Sequence, residues 1–234
     1  MHSPLPYQSP VCRTCPVHNK SLYRSRPAND IEPLRRAVRQ VAAKRTIMRH
    51  GEVSEESFTL RDGWAFAYVL IPDGRRQILS FFLPGDFIML PLLGKPNSFS
   101  AQALTDVSLC TFAAADIRAL IGGDVRLQAE AEARCMAYTV RLQDSVTDLR
   151  RTAEERVTRL LLGIHHRVQN LDRVAADGSL FFPLRLEHIA DATGLTPVHV
   201  SRVMVALKER GLIAATGKTL QLIDIPQLRR IVGA

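Results

Sequence analysis

The chain has 234 residues, of which 46% are hydrophobic and 23% are charged. This composition is ordinary for a globular protein and speaks against global disorder. The net charge of +8 favours a polyanionic partner, because Lys and Arg that neutralise phosphates release condensed counterions. No apolar run reaches the length of a membrane span, and residues 1–10 lack the features of a signal peptide. We therefore expect a cytoplasmic protein with no membrane partner.

Residues 1–28 have the composition of an irregular tail, with several prolines and the pair Cys12 and Cys15. In a cytoplasmic protein, cysteines act as thiols or metal ligands more often than as a disulfide framework. After the tail, apolar residues at helical spacing predict a helix over residues 31–43. These apolar residues are Leu34, Val38 and Val41.

Residues 44–113 contain short apolar runs that alternate with turn signals. Strands are expected at Ala65–Ile71, Gln77–Leu83 and Val107–Phe112, among others. Many short strands at a spacing of roughly 8–12 residues are typical of a β-sandwich or a small barrel. This part of the chain is therefore predicted to form one β-rich domain.

The pattern becomes helical after Ala113, with a short helix over residues 114–121 and a long one over 124–149. One face of the long helix carries an apolar seam that could pair two protomers in a coiled coil. The alternative is a helix that packs only on its own domain. A further helix is expected over residues 153–171, after Thr152. The residues of the seam are Ala131, Cys135, Leu142, Val146 and Leu149.

The segment Leu186–Leu207 predicts two short helices joined by a tight turn at Gly194. Glycine adopts the positive φ of such a turn at little cost. Thr196 is suited to cap the second helix, and Pro197 to its first position. The apolar spacing around the turn is that of a helix-turn-helix. The apolar residues are Ile189, Leu195, Val200 and Val203.

A predicted β-hairpin around Thr216–Lys218 follows this motif and completes a winged helix. The second helix is expected in the major groove of DNA, with its N-terminal side chains toward base edges. Arg202 is the best candidate for a bidentate contact with guanine, and Lys208, Arg210 and Lys218 could contact phosphates. The alternative is a helical hairpin with no role in DNA binding. The predicted DNA-binding residues are Thr196, Val198, His199, Ser201, Arg202 and Lys218.

The order of these parts resembles the CRP/FNR family of transcription regulators, from about residue 30 to the end. Phe81–Met89 is similar to part of the family's β-roll, whereas Ser98–Leu104, Cys110 and Ala153–Val157 are closer to the FNR branch. The resemblance implies an α+β fold with a β-roll sensor domain like that of cyclic-nucleotide-binding proteins. It also implies a homodimer on near-palindromic double-stranded DNA, with RNA polymerase as a further partner.

The resemblance also suggests domain boundaries. They are a tail over 1–28, a β-roll over 29–122, a dimerisation helix over 123–150 and a winged helix-turn-helix over 151–234.

Cyclic AMP is not expected as the effector. The cyclic-AMP branch holds the ligand's phosphate with a Glu and an Arg, and Leu90 and Phe99 stand at the corresponding places in this chain. Neither side chain supplies the charge-assisted hydrogen bonds that a phosphate needs.

The FNR branch holds an oxygen-sensitive iron–sulfur cluster with N-terminal cysteines and one cysteine of the roll. The resemblance therefore implies a 4Fe-4S cluster on Cys12, Cys15 and Cys110. The family's third N-terminal cysteine is absent, which leaves His18, an Asp or Cys135 to complete the ligand set. The alternatives are a thiol switch, a haem, an unknown small-molecule effector, or no cofactor.

The predicted function is a sequence-specific transcription regulator that senses oxygen or redox state. The family carries a Glu where Val198 stands, and Val198 cannot accept a hydrogen bond from cytosine, so an altered half-site is expected. No nucleotide-binding, hydrolase or metalloprotease motif points to an enzyme. A nonspecific architectural DNA-binding protein is the remote alternative.

Overall fold

A computed structural model describes residues 12–88, 95–147 and 150–233, without the side chains of residues 144–147. Two four-stranded sheets come first, then a long helix, and then a winged helix-turn-helix. The predicted α+β class and this order of parts are confirmed. Among the described residues, no helix combines the length and the apolar character that crossing a membrane requires.

The β-roll consists of two antiparallel sheets that enclose an apolar core. The first contains β1 (Arg35–Val41), β3 (Glu56–Asp62), β6 (Phe87–Ile88) and β8 (Val107–Ala113), in the order β1-β8-β3-β6. The second contains β2 (Thr46–Met48), β4 (Ala65–Leu70), β5 (Arg76–Phe82) and β7 (Ser100–Ala103), in the order β2-β7-β4-β5. The inner core includes Phe58, Leu60, Phe82, Ile88 and Leu109.

Both faces of the second sheet are buried. On β4, Ala65 and Ala67 pack inside the roll, whereas Phe66 between them packs against the C-terminal part of the chain. On β5, Phe82 faces inward and Phe81 outward. This explains why β4 is apolar throughout and why β5 ends in two consecutive phenylalanines, since a strand segment that is buried on both faces has no polar side.

The predicted helix over residues 31–43 is wrong. Its first residues form the short helix α1 (Ala28–Ile31) and a 3-10 turn, and the remainder is strand β1. β1 pairs with β8 in antiparallel register, with Val38 opposite Cys110 and Val41 opposite Val107. Pairing with a strand about 70 residues away overrides the local helical spacing, as tertiary contacts commonly do.

Helices α2 (Ala114–Gly122) and α3 (Val125–Thr147) follow the roll, close to the predicted positions. Leu127 and Ala131 of α3 are buried against the roll, and Ala131 is only 6% exposed. Ala131 of the predicted dimer seam therefore packs within its own subunit. Leu149 lies outside the described residues, and the side chain of Val146 is not described.

Residues 12–27, hereafter the N-terminal strap, pack on the outer face of the first sheet, although the composition predicts an irregular tail. Leu22 and Tyr23 are fully buried in an apolar cluster with Phe112 of β8 and Leu127 of α3. Gly85 has a φ of +94°, and a Cβ there would lie 3.0 Å from the carbonyl oxygen of Lys20. The strap thus approaches the roll so closely that a side chain at Gly85 would require the strap to shift.

The C-terminal part contains α4 (Ala153–Gln169), α5 (Leu186–Thr193), α6 (Pro197–Glu209) and α7 (Ile225–Val232). The Oγ1 of Thr152 and the side chain of Glu155 form a capping box at the start of α4. The strands β10 (Ile213–Thr216) and β11 (Thr219–Leu222) form the predicted wing. A third strand, β9 (Ser179–Phe181), pairs with β11 and was not predicted.

The roll and the winged helix share one apolar core, in which β4 and β5 pack against α4 and α5. The rings of Phe66 and His188 are 5.8 Å apart. The guanidinium of Arg76 donates from two nitrogens to the Oδ2 of Asp191, at 2.8 and 2.6 Å. The Cζ of Arg76 also lies 4.9 Å from the centre of the Phe66 ring. We call Phe66, Arg76, His188 and Asp191 the roll–α5 contact.

His188 is held neutral within this contact. Its side chain is buried, and its Nδ1 accepts a hydrogen bond of 3.0 Å from the backbone N–H of Arg185. Burial lowers the pKa of His188 to about 4, and the positive charge of Arg76 acts in the same direction. A proton on Nδ1 would remove the acceptor and place a cation beside Arg76.

We expect acid to weaken the folded protein through His188. Its folded pKa of about 4 lies below the ordinary value of 6.5, so the unfolded chain takes up this proton first. The stabilisation is complete above pH 6.5 and is lost as the pH falls toward 4, by at most about 1.4 kcal/mol per pH unit. Urea denaturation at a series of pH values measures this slope.

The variant His188→Gln, which cannot be protonated, is expected to show a smaller slope between pH 6.5 and 4. His50→Gln is the matched control, because His50 is exposed in the roll. A wild-type slope in the His188→Gln variant would contradict the assignment.

Candidate DNA-binding surface

Helices α5 and α6 are joined as the sequence predicts. Gly194 ends α5 with a φ of +67°. Thr196 caps α6, where its Oγ1 accepts a hydrogen bond of 3.3 Å from the backbone N–H of His199, and Pro197 is the first helical residue. Ile189 and Val200 are buried between the two helices and fix their crossing.

The first two turns of α6 present the predicted DNA-reading side chains to solvent. Val198 is 60% exposed, His199 and Arg202 are exposed, and Ser201 is half-buried. Within the part of the chain that the structure describes, no hydrogen bond or ion pair engages the guanidinium of Arg202. Thr196, which serves as the cap, lies at the same end of the helix. Five of the six predicted DNA-binding residues therefore lie together.

Lys218, the sixth, lies in the two-residue turn between β10 and β11, next to Gly217 with a φ of +59°. Its side chain is exposed, while its carbonyl oxygen accepts a hydrogen bond of 2.8 Å from the backbone N–H of Phe182. The tip of the wing is thereby anchored to the strand β9 region. Arg210, another candidate for a phosphate contact, instead forms an ion pair with Glu154 through its side chain.

This surface is suited to binding and carries no arrangement for proton transfer or nucleophilic attack. A single helix of 13 residues with an exposed cationic side chain near its N-terminus fits a major groove about 12 Å wide. The N-terminal end of a helix also carries partial positive charge, which favours a nearby phosphate.

Of the three cysteines predicted as ligands, Cys12 and Cys15 belong to the N-terminal strap and lie near Cys110 of β8. Cys12 and Cys110 are buried and Cys15 is half-buried. Burial raises the pKa of the Cys110 thiol to about 11, and the neighbouring Cys15 adds to this effect. Burial also raises the pKa of Cys12, whereas the charge of Arg35 lowers it. Both thiols are therefore protonated at neutral pH.

These residues do not fit a four-ligand iron–sulfur cluster. No group of three or more His, Cys, Asp or Glu side chains is placed to hold a metal ion in residues 12–88, 95–147 and 150–233. The Nε2 of His18 forms a hydrogen bond of 2.8 Å with the carbonyl oxygen of Arg26, and Cys135 is exposed on α3. Neither His18 nor Cys135, nor an Asp among the described residues, is grouped with the cysteines to hold a metal ion.

A cavity of about 680 Å³ lies between the roll and α3. Phe99, which stands where the resemblance places the phosphate-binding Arg of the cyclic-AMP branch, lines this cavity. Leu90, which stands at the place of the Glu, lies outside the described residues. The Oδ1 of Asn97, also at this cavity, is buried without a hydrogen-bond partner among the described residues. Other lining residues are Phe82, Phe87, Ala131, Arg134, Cys135 and Tyr138.

Sequence reasoning missed the roll–α5 contact, which holds the DNA-reading helices against the roll. Arg76 and Asp191 are 115 residues apart, and each is an ordinary surface charge when considered alone. Arg185, which directly precedes α5, is exposed and pairs with Glu187. No local pattern distinguishes these residues.

Two family models match the chain. Residues 38–124 match a cyclic nucleotide-binding domain, and residues 155–231 match a Crp-like helix-turn-helix domain. These ranges coincide with the roll and the winged helix described above.

Similar proteins span the same length. The nitrogen fixation regulation protein FixK of Bradyrhizobium diazoefficiens is 30% identical, over 95% of this chain and 94% of the relative. The transcriptional activatory protein AadR of Rhodopseudomonas palustris is 32% identical, over 91% and 90%. The solved structure of FixK2 from Bradyrhizobium japonicum has a TM-score of 0.76 and 27% identity, over 85% of this chain and 98% of that one. The chain therefore belongs to the CRP/FNR family of transcription regulators.

Proposed function

We propose that this protein binds a near-palindromic DNA site sequence-specifically as a homodimer. The observation that carries the proposal is the exposed start of α6, where Arg202 extends from a capped, rigid helix without a protein partner among the described residues. An arginine in this position can donate to both O6 and N7 of a guanine. An architectural protein that only neutralises phosphates has no need of such a positioned side chain.

The exposed face of α3 supports the homodimer. Four exposed residues lie on the side of α3 opposite the roll, at successive spacings of four, three and four residues. They are Ala129, Ala133, Met136 and Val140. Met136 is 65% exposed and Val140 is 45% exposed. This spacing is that of a coiled-coil seam. We call these four residues the α3 stripe and propose that it pairs with its copy in a second protomer.

Our proposal thus moves the centre of the interface away from the side that contains Ala131. Cys135 is exposed and Leu142 is half-buried, and both remain predicted interface residues. The same holds for Val146 and Leu149, whose side chains are not described.

The roll can act on DNA binding through two connections. The roll–α5 contact joins β5 directly to the first helix of the helix-turn-helix. The N-terminal strap joins α3 to the end of α4, since Arg24 pairs with Glu130, and Lys20 donates to the carbonyl oxygen of Asn170 at 2.7 Å. A signal that favours one arrangement of these contacts would shift the affinity for DNA.

Oxygen or redox sensing by the three cysteines remains a prediction, with the thiols themselves as the responsive groups. The cavity between the roll and α3 supports the alternative of a small-molecule effector, because its volume of about 680 Å³ and its aromatic lining by Phe82, Phe87 and Tyr138 suit a small ligand. Binding of RNA polymerase also remains a prediction. Iron and acid-labile sulfide content, measured on protein purified without oxygen, tests the cluster.

Replacing Arg202 by Ala is expected to cost about 1–3 kcal/mol of binding free energy at the preferred site and to relax the preference at one base pair.

Lys218→Ala is expected to weaken binding to all duplexes alike and to reduce the salt slope of the binding constant by about 1, because one phosphate contact is lost. Selection from random duplexes, followed by binding titrations at several salt concentrations, measures both effects.

Arg75→Ala is the matched control, because Arg75 is an exposed arginine of the roll that pairs with Asp73. It should leave affinity and preference unchanged. If the wild-type protein enriched no motif from random duplexes, sequence-specific binding would be refuted.

Met136→Glu is expected to convert the dimer to a monomer, because it would bury two carboxylates across the α3 stripe. Val53→Glu is the matched control, since Val53 is 58% exposed in the roll, outside α3. Sedimentation equilibrium distinguishes the two outcomes. A Met136→Glu protein that stays dimeric at the wild-type dissociation constant would place the interface elsewhere.

A further inference from the structure

Val198 is an exposed apolar side chain at the start of α6. It is the second residue of α6, after Pro197, and 60% of its surface is exposed. Its neighbours toward the core, Val200 and Met204, are buried, so the packing of α6 does not depend on Val198. A lone exposed valine needs no explanation. Because Val198 lies on the face of α6 that we propose contacts the bases, its apolar side chain limits which base edge it can contact.

Val198 and Arg202 are four residues apart in one helix and therefore occupy the same face, with Cβ atoms about 6 Å apart. Helical side chains lean toward the N-terminus, so both point toward the end of α6 that enters the groove. Successive bases of one strand are about 3.4 Å apart along the duplex axis. If Arg202 contacts a guanine, Val198 lies within about two base pairs of it.

In the major groove, the C5-methyl of thymine is the only alkyl group that a base pair presents, and it extends further than the C5–H of cytosine. The remaining groups are hydrogen-bond donors and acceptors, which valine cannot satisfy. Packing Val198 over any other base edge would remove water from a polar group without replacing its hydrogen bond, which is unfavourable. A thymine methyl instead gains apolar contact.

We propose that Val198 is a specificity-determining residue that reads the methyl group of one thymine, within two base pairs of the guanine contacted by Arg202. This inference rests on the proposed function and names what Val198 selects in each half-site. Each half-site then contains one thymine recognised by its methyl group alone.

Deoxyuridine substitution tests this directly, because uracil differs from thymine only by the missing methyl. The duplex selected by the wild-type protein is prepared with each thymine of a half-site replaced in turn, in both half-sites symmetrically. Dissociation constants are measured for the wild type, Val198→Ala and Val205→Ala. Val205 is the matched control, since it is 48% exposed on α6 but lies two turns beyond Val198.

At one thymine position, uracil should weaken wild-type binding about fourfold per half-site, the value of one buried methyl group. Val198→Ala should lose most of this discrimination, and Val205→Ala should retain it. If uracil has no effect at any position, or the same effect in the wild type and Val198→Ala, the inference is overturned while sequence-specific binding stands. If the wild type selects no motif, the proposed function fails as well.

Discussion

The contact between the outer face of the β4–β5 sheet and helix α5 determines how the rest of the molecule is arranged. Two contacts join these parts: Arg76 of β5 forms an ion pair with Asp191 of α5, and the ring of Phe66 on β4 packs against the ring of His188. Both side chains of the ion pair are about three-quarters buried. A broken pair would therefore leave a poorly solvated charge, which costs more than the loss of an exposed surface pair. The orientation of α6, which packs on α5, is consequently tied to the roll.

The N-terminal strap adds a second connection to this arrangement. It contains Cys12 and Cys15, contacts the roll at Gly85, and reaches the end of α4 through Lys20. The strap therefore joins the roll to the first helix of the C-terminal part. The exposed surfaces, by contrast, are the start of α6, the wing tip with Lys218 and the α3 stripe. Buried contacts thus fix the geometry, while the exposed faces are free for DNA and a second copy.

The sequence predicted those parts whose determinants are local. Gly194, Thr196 and Pro197 lie within four residues, so the helix-turn-helix and its exposed reading face could be derived before the structure. Strand β1 could not, because the pairing of Val38 with Cys110 depends on a distant strand. The roll–α5 contact was missed for the same reason. The resemblance supplied the cluster hypothesis, but the described residues contain no group of three or more ligands placed to hold a metal ion.

The most direct test of this account reverses the ion pair of the roll–α5 contact. Affinities for the full palindrome and for a single half-site would be compared in Arg76→Asp, Asp191→Arg and the double variant. If the contact only positions the two winged helices of a dimer, its loss should weaken binding to the palindrome but not to a single half-site. The reason is that the contact lowers the free-energy cost of ordering both winged helices on the two half-sites. The account predicts at least about tenfold weaker palindrome binding in each single variant. It also predicts unchanged half-site binding, and recovery in the double variant. Palindrome affinity that is unchanged or raised in both single variants would contradict it.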